Sequence, residues 1–230
     1  MEKDPALIVM LTYNDETVEN AFDIFEHCKD CGAEYFGFKE EPLPHDEMKR
    51  LYDYMRACGK KTVLEVVAYD EEKCVEGARL AVECGCDMLM GTMYFDSVAD
   101  ICRDKGIKYL PFVGKVVSRP SVLGGTIDGM IEEARRLSEK GVFGFDLLGY
   151  RFTGDASELI ERFVAETDKP VVLAGSVNSY ERLDEIKRTM PWGFTIGSAF
   201  FDNAYGEDFA EQIDTVCDYI SHRTEALVNV

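Results

Sequence analysis

The sequence repeats one unit, in which a short apolar run leads through a polar loop into an amphipathic stretch that often ends at a glycine. A continuous apolar run predicts a strand buried on both faces, as in a parallel sheet covered by helices. The predicted strands lie at 6–12, 34–39, 62–67, 87–92, 108–113 and 142–147, with two more inside 169–175 and 193–197.

The amphipathic stretches predict a helix after each strand. These helices lie at about 17–29, after Pro44, at 71–84, through 99–102, and at 127–139, 156–166, 180–188 and 209–222. We expect Asn14 or Asp15 to cap the first of them. Eight alternating units predict an α/β fold, a single (β/α)8 TIM barrel over residues 1–230. A doubly wound open sheet is the competing architecture, but the sequence shows no evident edge strand.

Composition narrows the functions that such a barrel can have. The chain carries 44 acidic and 25 basic residues, a formal charge of −19, which opposes binding to nucleic acid or to an anionic membrane. No run of 18 apolar residues appears, and the first residues lack a signal-peptide core, so we expect a cytoplasmic protein.

The cysteines and histidines suggest no cofactor. Cys28 and Cys31 have redox spacing, but they fall at a predicted helix C-terminus, where the helix dipole disfavours a thiolate. No second pair stands nearby to complete a zinc site, and no histidine or carboxylate cluster has metal-ligand spacing. We therefore expect neither a metal nor a cofactor.

Charged residues inside or just after apolar strands mark the candidate site. Active sites of TIM barrels lie at the C-terminal ends of the strands, and a charge inside such a strand has to face the barrel interior. Lys39, Glu65, Lys115 and Asp146 fit this description and are the candidate catalytic residues. The structural alternative is two buried ion pairs, Lys39 with Glu65 and Lys115 with Asp146.

Further bases follow the strands of this strongly acidic protein. Arg119 and Arg151 come after strands five and six, and guanidinium groups bind anions through two parallel hydrogen bonds. With Lys39 and Lys115 they predict an anionic ligand, and Asn14, after strand one, is a further candidate substrate contact.

The last two strands each end in a glycine and a serine. Gly175 and Ser176 follow strand seven, and Gly197 and Ser198 follow strand eight. Backbone N–H groups at such turns approach an anion closely, and phosphate sites of TIM barrels lie after these two strands. We expect the four residues to bind phosphate; the alternative is that the glycines only make tight turns.

At this point the segment 153–201 resembles the ribulose-phosphate-binding barrels, and in particular the sugar isomerases of histidine and tryptophan biosynthesis. Gly154, Asp155, the run 170–179 and the run 196–199 follow the family's order. The resemblance implies a phosphorylated sugar-like substrate, with phosphate contacts from Gly175, Ser176, Gly197 and Ser198.

The catalytic half departs from those isomerases. Strand one lacks their aspartate or cysteine, and Glu65 with its neighbours stands in place of a glycine-rich second phosphate site. Ser176 occupies a position where the family usually has a second glycine, although Asp146 looks like the strand-six aspartate of the tryptophan-pathway enzyme. The resemblance thus supports phosphate binding better than any one reaction.

Three functions remain open. The first is an isomerase, epimerase or decarboxylase that moves a proton next to a carbonyl group. The second is an aldolase that forms a Schiff base on Lys115 or Lys39. The third, of another class, is a phospholigand-binding barrel without catalysis. The apolar stretch 91–95 is a site wall or a contact in a homo-oligomer, and the loop 118–126 is a candidate lid.

Overall fold

The computed structural model describes residues 4–221. Eight parallel strands in this part of the chain form one sheet, and every strand is buried between the interior and a layer of helices. They are β1 (Ala6–Met10), β2 (Tyr35–Lys39), β3 (Lys61–Val66), β4 (Met88–Gly91), β5 (Lys108–Leu110), β6 (Phe145–Leu147), β7 (Val171–Leu173) and β8 (Gly193–Ile196).

The sheet closes on itself. Its order is β6-β7-β8-β1-β2-β3-β4-β5, and a parallel bridge between Phe112 and Asp146 joins the two ends. The N–H of Asp146 donates to the carbonyl of Pro111 at 3.1 Å. Because proline has no N–H for the ladder, β5 stops at Leu110 rather than continuing to residue 113. The fold is the predicted (β/α)8 TIM barrel.

Helices alternate with the strands, as the apolar spacing predicted. They are α1 (Ala21–Cys28), α2 (His45–Ala57), α3 (Glu71–Cys84), α4 (Asp96–Lys105), α5 (Ile127–Ser138), α6 (Ala156–Glu166), α7 (Tyr180–Thr189), α8 (Ser198–Phe201) and α9 (Phe209–Ser221). Residue 222, where the last helix was predicted to end, lies outside the described residues. None of the described helices has the length and apolar character needed to cross a membrane.

A hairpin follows β1 where the sequence predicted the start of a helix. Thr12–Tyr13 pairs antiparallel with Glu16–Thr17, and Asn14 and Asp15 form its turn with φ of 50° and 72°. Two left-handed residues are what a tight hairpin turn needs, and asparagine and aspartate adopt this conformation most readily after glycine. The predicted capping role of Asn14 or Asp15 is therefore wrong, and α1 begins at Ala21. We call this element the first hairpin.

A second hairpin follows β5. It pairs Lys115–Val117 with Val122–Gly124 and lies at the C-terminal end of the barrel. The hydroxyl of Tyr69 donates to the carbonyl of Ser118 at 2.6 Å, and the N–H of Thr153 donates to the carbonyl of Leu123 at 2.9 Å. The loop predicted as a lid is thus an ordered hairpin, fixed at both sides.

Apolar side chains fill the lower barrel. Those of Ile8, Val63, Met88, Leu110 and Val172 are all fully buried inside it. At the N-terminal ends of the strands, the ring of Trp192 packs edge-on against Tyr35 and Phe143. In the described part of the chain these side chains close this end, and the interior opens toward the C-terminal ends of the strands.

Candidate active site

One cavity of about 180 Å³ opens at the C-terminal ends of the strands. The turns after β7 and β8 form one part of its wall, and charged residues of β2, β3 and the first hairpin form another. Its lining includes Asp15, Lys39, Glu65, Arg151, Gly175, Ser176, Val177, Asn178, Gly197, Ser198 and Asp202. The cavity therefore joins the predicted phosphate-binding turns to two of the predicted catalytic residues.

Lys39 lies at the centre of the charged wall. Its ammonium nitrogen is 2.5 Å from Oδ1 of Asp15 and 3.6 Å from Oε1 of Glu65. Lys39 and Glu65 are register partners on β2 and β3, which explains why their side chains meet. All three side chains are at least nine-tenths buried. The predicted ion pair between Lys39 and Glu65 is confirmed, and Asp15 extends it to three charges.

The neighbouring carboxylates keep Lys39 protonated. Burial by itself lowers the pKa of this amine, because the charged form loses its hydration. The negative charges of Glu65 and Asp15 outweigh burial, so the pKa of Lys39 lies above its ordinary value. At neutral pH the side chain therefore presents a positive charge and hydrogen-bond donors.

Asp146 is fully buried on β6, and neither of its carboxyl oxygens has a hydrogen-bond partner in the described structure. Burial raises the pKa of this carboxyl well above its usual range, and the charge of Glu65 raises it further. Lys39 and Arg151 act in the opposite direction without reversing the shift. The neutral form of Asp146 is thus favoured in the field of the ion-paired Glu65, an arrangement that suits acid–base chemistry.

The two glycine turns have the backbone shape that an anion site needs. Gly175 and Ser176 follow β7 with φ of 77° and 61°. A Cβ on Gly197 would lie only 2.5 Å from Oγ1 of Thr12, so this position has no room for a side chain. The N–H groups of Gly175, Ser176 and Val177 donate no hydrogen bond within residues 4–221. They are therefore available to a ligand in the cavity.

Arg151 connects the two parts of the wall. It ends the short 3-10 turn after β6, and its Nη1 lies 3.7 Å from Oδ1 of Asp15. A Cβ built on Gly175 would come within 2.6 Å of its Nε. The guanidinium group thus lies against the turn after β7, within reach of an anion bound there.

Four predicted site residues do not line this cavity: Asp146, which is fully buried on β6, and three residues at the barrel mouth. Lys115 is exposed on the second hairpin, and the ion pairs of the described residues do not include one between Lys115 and Asp146. Arg119 reaches from the same hairpin to Asp15, at 3.4 Å, and to Glu41, at 3.3 Å. Asn14 is exposed and touches the site through its backbone N–H, which donates to Oγ of Ser198 at 3.2 Å.

Asp15 belongs to the site, although the sequence favoured a helix-capping role for it. Thr17 positions it, because its hydroxyl donates to the carbonyl of Lys39 and accepts from the N–H of Lys39, both at 2.9 Å. These bonds fix the first hairpin over β2 and bring Asp15 onto the Lys39 ammonium. An Asn-Asp pair between short alternating segments was the available hairpin signal.

Three other residue groups considered in the sequence have the following places in the structure. Burial raises the pKa of the Cys28 thiol to about 12, so it is not a reactive thiolate. Met93, Tyr94 and Phe95, in the apolar stretch after β4, are half-buried against the core. Within residues 4–221, no three histidine, cysteine or acidic side chains are placed to hold a metal ion.

The fold and the position of its cavity place the protein among TIM-barrel structures. No family model matches the sequence, and no curated protein matches it. Among solved structures, an orotidine 5′-phosphate decarboxylase from Pyrococcus horikoshii aligns with a TM-score of 0.67 at 14% identity, covering 93% of this chain and 98% of that one.

Two further enzymes have the same fold. A tryptophan synthase from M. tuberculosis aligns with a TM-score of 0.65 at 14% identity, covering 95% of this chain and 94% of that one. A 4-hydroxy-2-oxoglutarate/2-dehydro-3-deoxyphosphogluconate aldolase from TTHB1 aligns with a TM-score of 0.65 at 14% identity, over 94% of each chain. At this identity the likeness is one of fold.

Proposed function

We propose that the protein is an enzyme that binds a small phosphorylated, sugar-like metabolite and moves a proton next to its carbonyl group. Isomerase, epimerase and decarboxylase reactions all belong to this class. The observation that carries the proposal is the single cavity that joins two glycine turns to the Lys39 and Glu65 ion pair. The decarboxylase and the aldolase among the structural neighbours are named for phosphorylated compounds, which supports the proposal by analogy of fold.

The turns after β7 and β8 hold the phosphate in this proposal. The N–H groups of Gly175, Ser176, Gly197 and Ser198 surround the anion, and Arg151 adds a charged contact. A cavity of about 180 Å³ is smaller than the ~300–1,000 Å³ of sites for drug-sized ligands. A short-chain phosphate therefore fits better than a nucleotide.

The charged wall performs the chemistry. Glu65, which is paired with Lys39 and lines the cavity, removes the proton from carbon. The Lys39 ammonium stabilises the enediolate oxygen as negative charge develops on it. Asp146 lies fully buried behind this wall, and its raised pKa favours the protonated form. In this proposal it is the source of the returning proton, so the two carboxyl groups take different roles because their surroundings differ.

The Schiff-base alternative has weaker support. A lysine nucleophile needs its amine neutral, whereas two carboxylates keep Lys39 protonated. Lys115 is exposed and does not line the cavity. An acid–base mechanism uses Lys39 in its protonated form and needs no contribution from Lys115. The exchange experiment below distinguishes an acid–base enzyme from a barrel that binds phosphate without catalysis.

The first test is the thermal unfolding midpoint in matched panels of phosphorylated and unphosphorylated sugars, with inorganic phosphate as reference. A ligand of the folded state stabilises it by RT ln(1 + [L]/Kd), about 2.7 kcal/mol at 100 times Kd. We expect a rise with a phosphorylated sugar that its unphosphorylated counterpart does not produce. If no phosphate monoester raises the midpoint, the glycine turns are only turns and the proposal fails.

The second test follows proton transfer itself. In D2O, the hydrogen on the carbon next to the carbonyl of a bound sugar phosphate is expected to exchange for deuterium, which NMR detects. We expect Asp146→Asn to slow this exchange at least about 100-fold, while Lys115→Ala leaves it unchanged. Phosphate binding with no exchange in the native protein would favour the non-catalytic barrel.

A further inference from the structure

We infer that Arg182, on α7 outside the cavity, is a positioning residue that holds the phosphate-binding turn after β7 in its working shape. The inference rests on the proposed function, because it concerns how that phosphate site is built. Arg182 does not line the cavity, so its role would be indirect, through the backbone of residues 176–178.

The turn contains a residue that does not favour its conformation. Gly175 and Ser176 both have left-handed backbone angles, with φ of 77° and 61°. Glycine adopts such angles at no steric cost, whereas the Cβ of a serine clashes with the neighbouring carbonyl and costs free energy. The left-handed Ser176 therefore needs interactions from its surroundings to persist.

Arg182 supplies those interactions. Its Nη1 donates to the carbonyl oxygen of Ser176 and, at 2.8 Å, to Oδ1 of Asn178. One guanidinium nitrogen thus ties together both ends of the segment that forms the turn. Since the C=O and N–H of a trans peptide point in opposite directions, holding the Ser176 carbonyl directs the N–H of Val177 away from Arg182. Val177 lines the cavity, and its N–H has no acceptor among the described residues.

Arg182 is itself held in place. Its guanidinium carbon lies 4.6 Å from the centre of the Tyr150 ring, and the Tyr150 hydroxyl donates to the carbonyl of Arg182 at 3.3 Å. Tyr150 directly precedes Arg151, which lies against Gly175 on the cavity side. Tyr150 and Arg151 therefore support the turn after β7 from its two sides.

The place of Arg182 in its helix argues for a role beyond helix stability. It is the third residue of α7, and a cation in the first turn of a helix is opposed by the helix dipole. The arginine is thus unfavourable for the helix that carries it. Its hydrogen bonds to the turn offset this cost.

The test measures the affinity of inorganic phosphate and of a phosphorylated sugar for four proteins: native, Arg182→Ala, Arg182→Ala with Ser176→Gly, and Arg182→Lys. We expect Arg182→Ala to weaken phosphate binding about tenfold or more. Ser176→Gly is expected to restore most of that loss, because glycine adopts the turn without support. Arg182→Lys keeps the charge but not the guanidinium geometry, and we expect the phosphate affinity of this variant to stay as low as that of Arg182→Ala.

Arg188→Ala is the matched control, since Arg188 lies on the same helix and its ion pairs among the described residues are with Glu161 and Glu185, away from the turn after β7. The inference is overturned if Arg182→Ala binds phosphate within twofold of the native protein, if Ser176→Gly gives no rescue, or if lysine restores full affinity, which would indicate a charge effect. Absence of phosphate binding by the native protein would instead refute the proposed function.

Discussion

The ammonium nitrogen of Lys39 lies 2.5 Å from Oδ1 of Asp15, and this contact joins β2 to the hairpin that follows β1. The same ammonium is 3.6 Å from Glu65 on β3. Charged side chains from the hairpin after β1, from β2 and from β3 thus meet at one point in the barrel. Because all three side chains are buried, their charges depend on each other rather than on water.

Removal of Lys39 is expected to destabilise the protein strongly. Lys39→Met would leave the buried Glu65 without its cation and Asp15 with only the longer contacts to Arg119 and Arg151. Breaking a buried pair in this way costs about 3–5 kcal/mol of unfolding free energy. Urea unfolding measures the loss. Combining Lys39→Met with Asp15→Asn and Glu65→Gln is expected to recover most of it. Lys49→Met, at the exposed pair of Lys49 with Asp53, should cost less than about 1 kcal/mol.

Borohydride treatment is expected to leave Lys39 unmodified. The reagent reduces a Schiff base between a lysine and a carbonyl substrate to a stable amine, but Lys39 is kept protonated by Glu65 and Asp15 and is a poor nucleophile. Mass spectrometry after incubation with sugar phosphates and borohydride is the measurement. A substrate-dependent adduct on Lys39 or Lys115 would establish the aldolase alternative instead.

Asp146→Asn is expected to change how stability depends on pH. Burial in the native fold, together with the charge of Glu65, raises the pKa of the Asp146 carboxyl above the value of about 3.9 that it has when unfolded. Above that value the unfolded state releases a proton that the folded state retains, and rising pH therefore lowers the stability of the native protein. Asparagine does not titrate, so Asp146→Asn lacks this contribution to the pH dependence of stability.

Unfolding free energies of the native protein and Asp146→Asn, compared at pH 5 and pH 8, test this expectation. The unfolding free energy of the variant is expected to rise relative to that of the native protein as the pH increases through this range. A difference that stays constant, or that shifts in favour of the native protein at pH 8, would show that Asp146 is ionised in the fold.

A comparison of two glycines separates the phosphate site from general backbone strain. Gly175 and Gly106 have similar left-handed angles, φ 77° and 72°, so alanine at either position costs about 1–2 kcal/mol of backbone strain. A Cβ at Gly175 would also displace Arg151, whereas a Cβ at Gly106 would meet no atom within 4 Å beyond its chain neighbours. We expect both variants to lose stability, and only Gly175→Ala to lose phosphate affinity as well. Equal phosphate binding by both would argue against the site.

Arg119 is expected to hold the second hairpin against the barrel. Its guanidinium group lies 3.4 Å from Asp15 and 3.3 Å from Glu41, and no other ion pair of the described residues links this hairpin to the first. Arg119→Gln should therefore increase chymotryptic or subtilisin cleavage within residues 114–125. Added salt should do the same for the native protein, since the group is partly exposed. Val117→Ala serves as the control. Unchanged cleavage of Arg119→Gln would contradict this role.

Much of this protein follows from its sequence. The alternation of apolar runs and amphipathic stretches predicts the barrel, because strands buried on both faces and helices buried on one face each have their own period. The same pattern places Lys39, Glu65 and Asp146 inside the barrel, since a charge within a buried strand can only face the interior. Gly175 and Gly197 follow from their position after the last two strands.

The tertiary structure decided which of these groups meet. Asp15 reaches Lys39 because Thr17 pins the first hairpin to β2, and no local pattern encodes contacts between residues so far apart in sequence. Lys115 and Arg119 lie outside the cavity wall because the segment after β5 folds back as a hairpin instead of continuing into the barrel mouth. Apolar periodicity records burial, which is a property of each segment, whereas pairing of charges depends on how loops pack on each other. The sequence therefore determined the barrel and its interior residues, and only packing at the barrel mouth determined the site.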